Sequence, residues 1–502
     1  GSVDFFFRRD GIEAFEDVAV FQGSGNTVGE PGATEQVSSL RVSPSLLSVL
    51  RVQPALGRNF TDDEMDVGNH QKVILTHGYW EEQFAGSADV LGRSLRIDGE
   101  PFEIVGVLPE GFGMANRDDV RFLLPTPFSE EQRQIDNWHS NNFQMVARLL
   151  PGETVERAKA QIDALNNAMI EEWPVPNAGQ ILSDAGFTTV VRPYQDDLVR
   201  NVRPMLFTLW AGVFFVLLIG CVNIANLMLA RSQVRRTELA MRLALGAQRG
   251  RVARQVLTEN VLIGVLGGVL GAGVGVLGLA LLNALGLSDL PRGSQVGLDA
   301  GVLLFTLGVA LGAGVLFGLI PVVHLVRNDL SSVFRTEGRT GTASRRAVTL
   351  RSGLVTAQVA LAFVMLIGAG LMFVSFRSAV AVDPGFRPEG VFTAMVSLPE
   401  SRYADAESRR QFTDELLSQL RVIPGVEAAS MTSQLPFSGN NSSSVILPEG
   451  YVTQPGESLL SPFQTWVGDD YFETLGIELV EGRTFHLSDG PDAANAIVSA
   501  VK

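Results

Sequence analysis

RRTELAMRLALGAQRGRVARQ, residues 235–255, lies between two of the most apolar stretches of the chain. Together with Arg231 the gap holds seven arginines (Arg231, Arg235, Arg236, Arg242, Arg249, Arg251 and Arg254) against one acid, Glu238. On either side and further along, four segments contain no Asp, Glu, Lys, Arg or His: 205–230, 261–285, 302–323 and 354–376. About 20 mostly apolar residues, each rising 1.5 Å, cross the hydrocarbon of a bilayer. A charge at the centre of such a segment costs about 2.5–3.5 kcal/mol on the insertion scale. Four uncharged segments of this length predict membrane spans rather than buried core helices.

The arginines then orient the chain. A second basic gap, 324–353, carries Arg327, Arg335, Arg339, Arg345, Arg346 and Arg351 against Asp329 and Glu337, whereas the loop between spans two and three has Arg292 alone. Short loops rich in Lys and Arg stay in the cytoplasm, so residues 1–204 and 377–502 are expected outside. Charge divides the same way. Residues 1–204 hold 17 basic and 31 acidic side chains, 205–376 hold 14 and 6, and 377–502 hold 8 and 17, in a chain of net charge −15. At 502 residues more than one domain is expected. The chain opens GSVDFFF and stops at AIVSAVK inside a strand-like run, which reads as a fragment at both ends.

Both outer regions read as α+β. Val155, Ala158, Ile162, Leu165 and Met169 form one apolar helix face. SLRIDGEPFEIVGV alternates around Asp98-Gly99, a hairpin signal, and DVAVFQGSGNTVG reads as a strand and turn. RVSPSLLSVLRVQPALGRNF (41–60) aligns with WVGDDYFETLGIELVEGRTF (466–485) at a constant offset of 425, sharing Val42/Val467, Leu50/Leu475, Gly57/Gly482, Arg58/Arg483 and Phe60/Phe485. Residues 406–421 supply another amphipathic helix, with Phe412, Leu416 and Leu420 four apart. The simplest account is an internal duplication. Within the spans, Gly264, Gly268, Gly271, Gly275, Gly308, Gly312, Gly314 and Gly318 form small-xxx-small rows that let helix backbones approach. Asn223 and Asn226 are candidates for hydrogen bonds across helices.

Catalytic constellations are missing. There is one cysteine, Cys221, and five histidines without HExxH, so no metal site is expected. TDDEMDVG (61–68) spaces Asp62, Glu64 and Asp66 like a calcium loop but lacks the sixth-position Gly and twelfth-position Glu. A solvated acidic turn is the default there. No GxSxG, Ser-x-x-Lys or GxxxxGK[ST] occurs. The basic residues adjoin apolar runs without interleaved aromatics, which argues against nucleic acid. Glu238 and Arg242 stand in the favourable i, i+4 order, Leu239 and Leu243 line an adjoining face, and Gly246 interrupts the helix. The pattern suits a short amphipathic helix at the inner surface. It serves orientation and lipid attraction, or docking to a soluble partner.

RRTELAMRLALGAQRGRVARQVLTENVLIGVLGGVLG resembles the signature segment of MacB/FtsX-type ABC transporter permeases, with its R-x-x-E-h-x-h-R-x-x-h-G-A pattern and glycine-rich helix. PVVHLVRNDLSSVFR (321–335) is similar to the basic segment after that family's helix, and VLGRSLRIDGEPFEIVGVLPEGF to its periplasmic core. The resemblance implies a membrane protein: an α-helical transmembrane bundle with two α+β, MacB-like extracytoplasmic core domains. Residues 1–204 would be the first core domain, 205–336 an FtsX-like permease domain (helices 205–230, 261–285 and 302–323), and 337–353 a cytoplasmic linker. The helix 354–376 would open a second unit whose core domain is 377–502. It further implies a multi-pass protein of the cell (inner) membrane, without its own ATPase site or cofactor. ATP would be used by a cytoplasmic ABC ATPase dimer docked on Glu238, Arg242, Leu243, Gly246 and Arg249. Expulsion or extraction of a substrate follows, with a periplasmic adaptor or substrate protein as a further partner. The other implied role is an FtsX-like signalling module that regulates an outer partner such as a cell-wall hydrolase.

Overall fold

The computed structural model describes residues 1–30, 32–114, 119–138, 142–174, 178–184, 187–200, 202–245, 247–284, 299–327, 345–398, 402–403, 405–438, 442–443, 446, 451, 460–486, 489 and 496–498. The chain divides into two compact units, one made of residues 1–196 and 383–502, the other of residues 197–382.

The first unit begins with α1 (Ser2–Gly11), β1 (Phe15–Glu30), β2 (Ala33–Val42), α2 (Ser45–Leu50) and β3 (Leu56–Gly57). It continues with β4 (Lys72–Leu75), α3 (His77–Phe84), β5 (Ser94–Ile97), β6 (Glu100–Val107), β7 (Val120–Pro125), β8 (Gln144–Leu149) and α4 (Val155–Glu172). The strands form one sheet in the order β2-β7-β4-β6-β5-β1-β8, with β3 on β6. Because β1 also pairs with β2, Phe21↔Val42 through Glu30↔Ala33, the pairing returns to its start. β2–β7 and β4–β6 are parallel. The Asp98-Gly99 turn joins β5 to β6 with φ of 52° and 84°, the left-handed pair that a two-residue hairpin needs. The glycine-rich stretch 23–29 does not turn, as the sequence suggested. β1 runs through it for 16 residues, because its whole second half is bonded to β2 and the turn waits for Gly32. Leu40, Leu46, Leu47, Ile74 and Leu123 are almost fully buried in the core. α4 is capped by the Thr154 hydroxyl, which accepts from the Arg157 N–H at 3.2 Å, and buries Ala158, Ile162 and Met169.

Behind α2 the acidic turn is consumed by structure. The Arg58 guanidinium donates to both Glu64 carboxylate oxygens (2.7 and 3.1 Å), and the Thr61 N–H donates to Glu64 Oε2 at 2.9 Å. The Glu64 side chain is only 3% exposed. Burial pushes its pKa up, but the Arg58 fork and the Thr61 N–H outweigh that and hold it below the ordinary value. Asp63 accepts from Asn69 and Asp66 from Arg133, so three of the four acids already have protein donors.

The same arrangement recurs 425 residues later. Arg483 donates to both oxygens of Asp489 (2.7 and 2.8 Å), and the His486 N–H donates to Asp489 Oδ2 at 2.9 Å. Gly57 and Gly482 both have positive φ, 78° and 90°. Ser43 N–H donates to the Val20 carbonyl at 2.9 Å, and Gly468 N–H to the Met431 carbonyl at 2.8 Å. Helix 406–421 is capped by Asp405, which accepts from the Ser408 N–H at 2.7 Å, and buries Leu417.

Among the described residues the second unit is built from four long helices, named α7 to α10 after two short helices, α5 (Ala178–Asp184) and α6 (Tyr194–Val199), in the first unit and at its boundary. They are α7 (Arg203–Ala244), α8 (Arg249–Ala284), α9 (Ala300–Arg327) and α10 (Arg345–Val380). Three stretches are long and apolar enough to cross a membrane by length and composition: Arg203–Met228, Gly250–Leu281 and Ser352–Val380. In α9 the described apolar stretch is the shorter Ala300–Val315. The basic segment after span one is not a separate surface helix, as its amphipathic pattern suggested. α7 continues unbroken for 42 residues. At 1.5 Å per residue that is about 63 Å, twice the thickness of a hydrocarbon core.

α8 and α9 meet backbone to backbone. A Cβ at Gly264 would lie 2.8 Å from the Ala310 carbonyl oxygen, one at Gly268 2.9 Å from Ala310 Cβ, and one at Gly314 3.1 Å from Val261 Cα. Gly271, Gly275, Gly308 and Gly312 lie outside this seam, with nothing among the described residues within 4 Å of the corresponding position. The glycine rows overlap in sequence, but only one row can face a given neighbour. The surroundings of Gly318 lie outside the described residues. The cross-helix hydrogen bond expected of Asn226 is not seen: its buried Oδ1 has no partner among the described residues.

Two outcomes follow. Glu64→Gln should lower the stability of the first unit by about 1–3 kcal/mol at pH 7, the usual cost of breaking a charged hydrogen-bond pair. Glu64 is depressed when folded, so its contribution is complete above the unfolded pKa of about 4.3 and fades as pH falls through the lower folded value. Denaturant midpoints of wild type and variant should therefore converge as the pH falls below the unfolded value, and a constant gap would contradict the assignment. In detergent, Gly264→Leu should lower the thermal midpoint by several degrees, because the Ala310 carbonyl cannot yield. Gly271→Leu should leave it unchanged.

Candidate functional site

The arginine-rich turn of the opening quotation is formed where α7 ends and α8 begins. α7 closes at Ala244, the Leu245 N–H donates to the Met241 carbonyl at 3.0 Å, and the Ala247 N–H to the Arg242 carbonyl at 3.0 Å. α8 opens at Arg249, with the Arg251 N–H donating to the Gln248 carbonyl at 3.0 Å. Two helices that both aim apolar length into a membrane need a sharp reversal, and the backbone groups freed at the reversal find partners within it.

Arg242 holds the two helices together. Its Nη2 donates to Glu238 Oε1 at 2.5 Å, one turn back on α7, and its Nη1 to Gln255 Oε1 at 3.1 Å on α8. Gln255 in turn donates to Glu259 Oε1 at 3.4 Å. The chain Glu238–Arg242–Gln255–Glu259 crosses the turn and fixes the register of α8 against the end of α7. An isolated exposed ion pair on one helix contributes only a few tenths of a kcal/mol. The positional effect of the crossing link is the greater one. On α8, Val252 and Val256 are buried, while Leu245 at the tip of the turn is 89% exposed.

Of the residues that the sequence assigned to a coupling segment, Glu238 and Arg242 are brought together. Leu243 lies in the last turn of α7 and Arg249 opens α8, but their side chains and the whole of Gly246 lie outside the described residues. Gln255, Glu259 and Leu245 were not singled out from sequence. The Gln255–Glu259 spacing of four was the available signal, whereas nothing local shows that Gln255 meets Arg242 across a helix break. Cys221 is half-buried in α7. Among the described residues no group of three or more His, Cys, Asp or Glu could hold a metal ion.

Residues 3–165 match the MacB-like periplasmic core domain, and residues 210–330 match the FtsX-like permease C-terminal domain. The chain is 25% identical over 296 residues to the "Uncharacterized ABC transporter permease YknZ" of Bacillus subtilis (strain 168), covering 59% of this chain and 69% of that one. It is 26% identical over 301 residues to the macrolide export ATP-binding/permease protein MacB of Wolinella succinogenes (59% and 43%). It is 25% identical over 286 residues to the pyoverdine export ATP-binding/permease protein PvdT of Pseudomonas aeruginosa (56% and 39%). The chain thus spans less than half the length of the MacB and PvdT relatives. The periplasmic region of MacB from Actinobacillus actinomycetemcomitans aligns with 37% of this chain and 83% of its own, at 14% identity and a TM-score of 0.26. A MacB-like periplasmic core domain thus precedes the apolar helices, and an FtsX-like permease domain spans the α7–α8 turn, the two domain families that this chain shares with ABC transporter permeases.

Proposed function

We propose that this chain is the membrane part of an ABC-type mechanotransmission system that expels or extracts a substrate on the outer side of the cell (inner) membrane. A separate cytoplasmic ATPase dimer docks on the α7–α8 turn, hydrolyses ATP there, and moves the helices, while the chain itself carries no catalytic group or cofactor. The observation that carries this reading is the Arg242 link. A load applied at the turn acts on α7 and α8 together, and α7, as one 42-residue rod, carries it well beyond the membrane thickness. The exposed Leu245 supplies an apolar contact flanked by charge, as expected of a docking surface.

On this reading there are four spans, with α9 the third, and both basic turns face the cytoplasm. Residues 1–204 and 377–502 are outer domains. The first permease domain covers 205–336, a cytoplasmic linker 337–353, and helix 354–376 opens a second unit. The recurrence of the Arg–carboxylate fork, the glycine with positive φ and the strand-end hydrogen bond at one offset supports an internal duplication. A periplasmic adaptor or substrate protein is a further partner. The relatives named for export favour expulsion over an outer regulatory module.

Reversing charge at the turn tests the docking. Arg242→Glu together with Arg249→Glu, in the intact protein, should reduce capture of the partner ATPase at least tenfold while helix content is kept. Undiminished capture would remove the turn from the docking surface.

A further inference from the structure

The arginines of the turn do not share one task. Arg242 is engaged by Glu238 and Gln255, but Arg251 and Arg254 form no ion pair among the described residues. Both are exposed on α8 and, with Gln255, Thr258, Glu259 and Leu262, line an open groove of about 370 Å³. Its two ends differ in chemistry. The arginine end carries two guanidiniums, which match the geometry of a phosphate. At the other end Leu262 is 57% exposed and already belongs to the uncharged run 261–285. Eight residues separate Arg254 from Leu262, about 12 Å along the helix, roughly the distance from a headgroup into the acyl region of a bilayer.

We propose that this groove is a binding site for an anionic glycerophospholipid, with the phosphodiester on Arg251 and Arg254 and an acyl chain along Leu262. A soluble protein would meet the arginines but would not reach a leucine within the membrane run. A free phosphate would use the guanidiniums and leave the apolar end empty. Only a molecule with an anionic head and a hydrocarbon tail matches both ends. Two guanidiniums against the one carboxylate of Glu259 leave net positive charge, so a phosphatidylglycerol head is preferred over phosphatidylcholine, whose own cation cancels its phosphate. The bound lipid would brace the start of α8, beside the link that joins it to α7. The inference rests on the membrane spans and not on ATPase docking.

The test is native mass spectrometry of the full chain in detergent with equimolar phosphatidylglycerol and phosphatidylcholine. Wild type should retain phosphatidylglycerol adducts at least fivefold over phosphatidylcholine. Arg251→Gln with Arg254→Gln should bring the ratio near one, whereas Arg410→Gln, which removes charge far along the chain in the outer helix 406–421, should not change it. Arg251→Lys with Arg254→Lys should retain part of the preference. A wild-type ratio near one, or an unchanged ratio in the double Gln variant, would overturn the proposal. Displacement of phosphatidylglycerol by 10 mM inorganic phosphate would overturn it too, by identifying a free-anion site. Loss of ATPase capture with an unchanged lipid ratio would assign the groove to the protein partner instead.

Discussion

Hydrocarbon offers no hydrogen-bond partner to a peptide group, so a chain that enters it must satisfy its backbone internally and keep charge out. The features of the helical second unit follow from that constraint. It forces the uncharged runs into helices and leaves the arginines of residues 205–376 outside them, seven of them between the first two runs. The turn between α7 and α8 is a product of this sorting. Charge excluded from the bilayer on either side is concentrated in some twenty residues, and what those residues then bind is decided by which neighbours each guanidinium finds.

The outer unit solves a different problem. Its sheet closes through the β1–β2 hairpin, so few strand edges remain open, and the chain must turn sharply where β3 leaves α2. At Gly57 the backbone takes φ of 78°, and a Cβ there would sit 2.2 Å from the Val105 carbonyl oxygen, so only glycine fits. Arg58 and Glu64 then tie the next turn down. Removing Arg58 would leave the nearly buried Glu64 carboxylate without its strongest donor, a cost that the more exposed Arg483–Asp489 pair does not carry to the same degree.

How much of this was legible in the sequence depends on the range of the interaction that decides each feature. Three of the four expected spans, the α4 face and the Asp98-Gly99 hairpin are set by local periodicity and turn chemistry, and are readable from a few neighbouring residues. The second recurrence of G-R-x-F was visible as identity, but the partner acid was not, because Glu64 and Asp489 are chemically alike without being identical. Glycines 23–29 suggested a turn, and long-range pairing with β2 overrode them. Likewise the pattern at 235–244 predicted a surface helix, since amphipathicity alone does not say whether a helix is new or the end of one already begun. The Arg242–Gln255 contact joins residues on separate helices and had no signature in the sequence.

That contact also separates two functions that the positive-inside rule would merge. An arginine placed only for orientation needs no particular neighbour, and its guanidinium stays hydrated. Arg242 has specific acceptors on two helices, so losing it changes geometry as well as charge. Arg251 and Arg254 are exposed on α8 and line the groove that runs toward Leu262. On the proposed reading, a turn that is linked on one face and open on another would be loaded by the ATPase and braced by lipid at once. Both forces would then act on the same end of α8, and a bound lipid headgroup would set how readily the helix pair yields to a load.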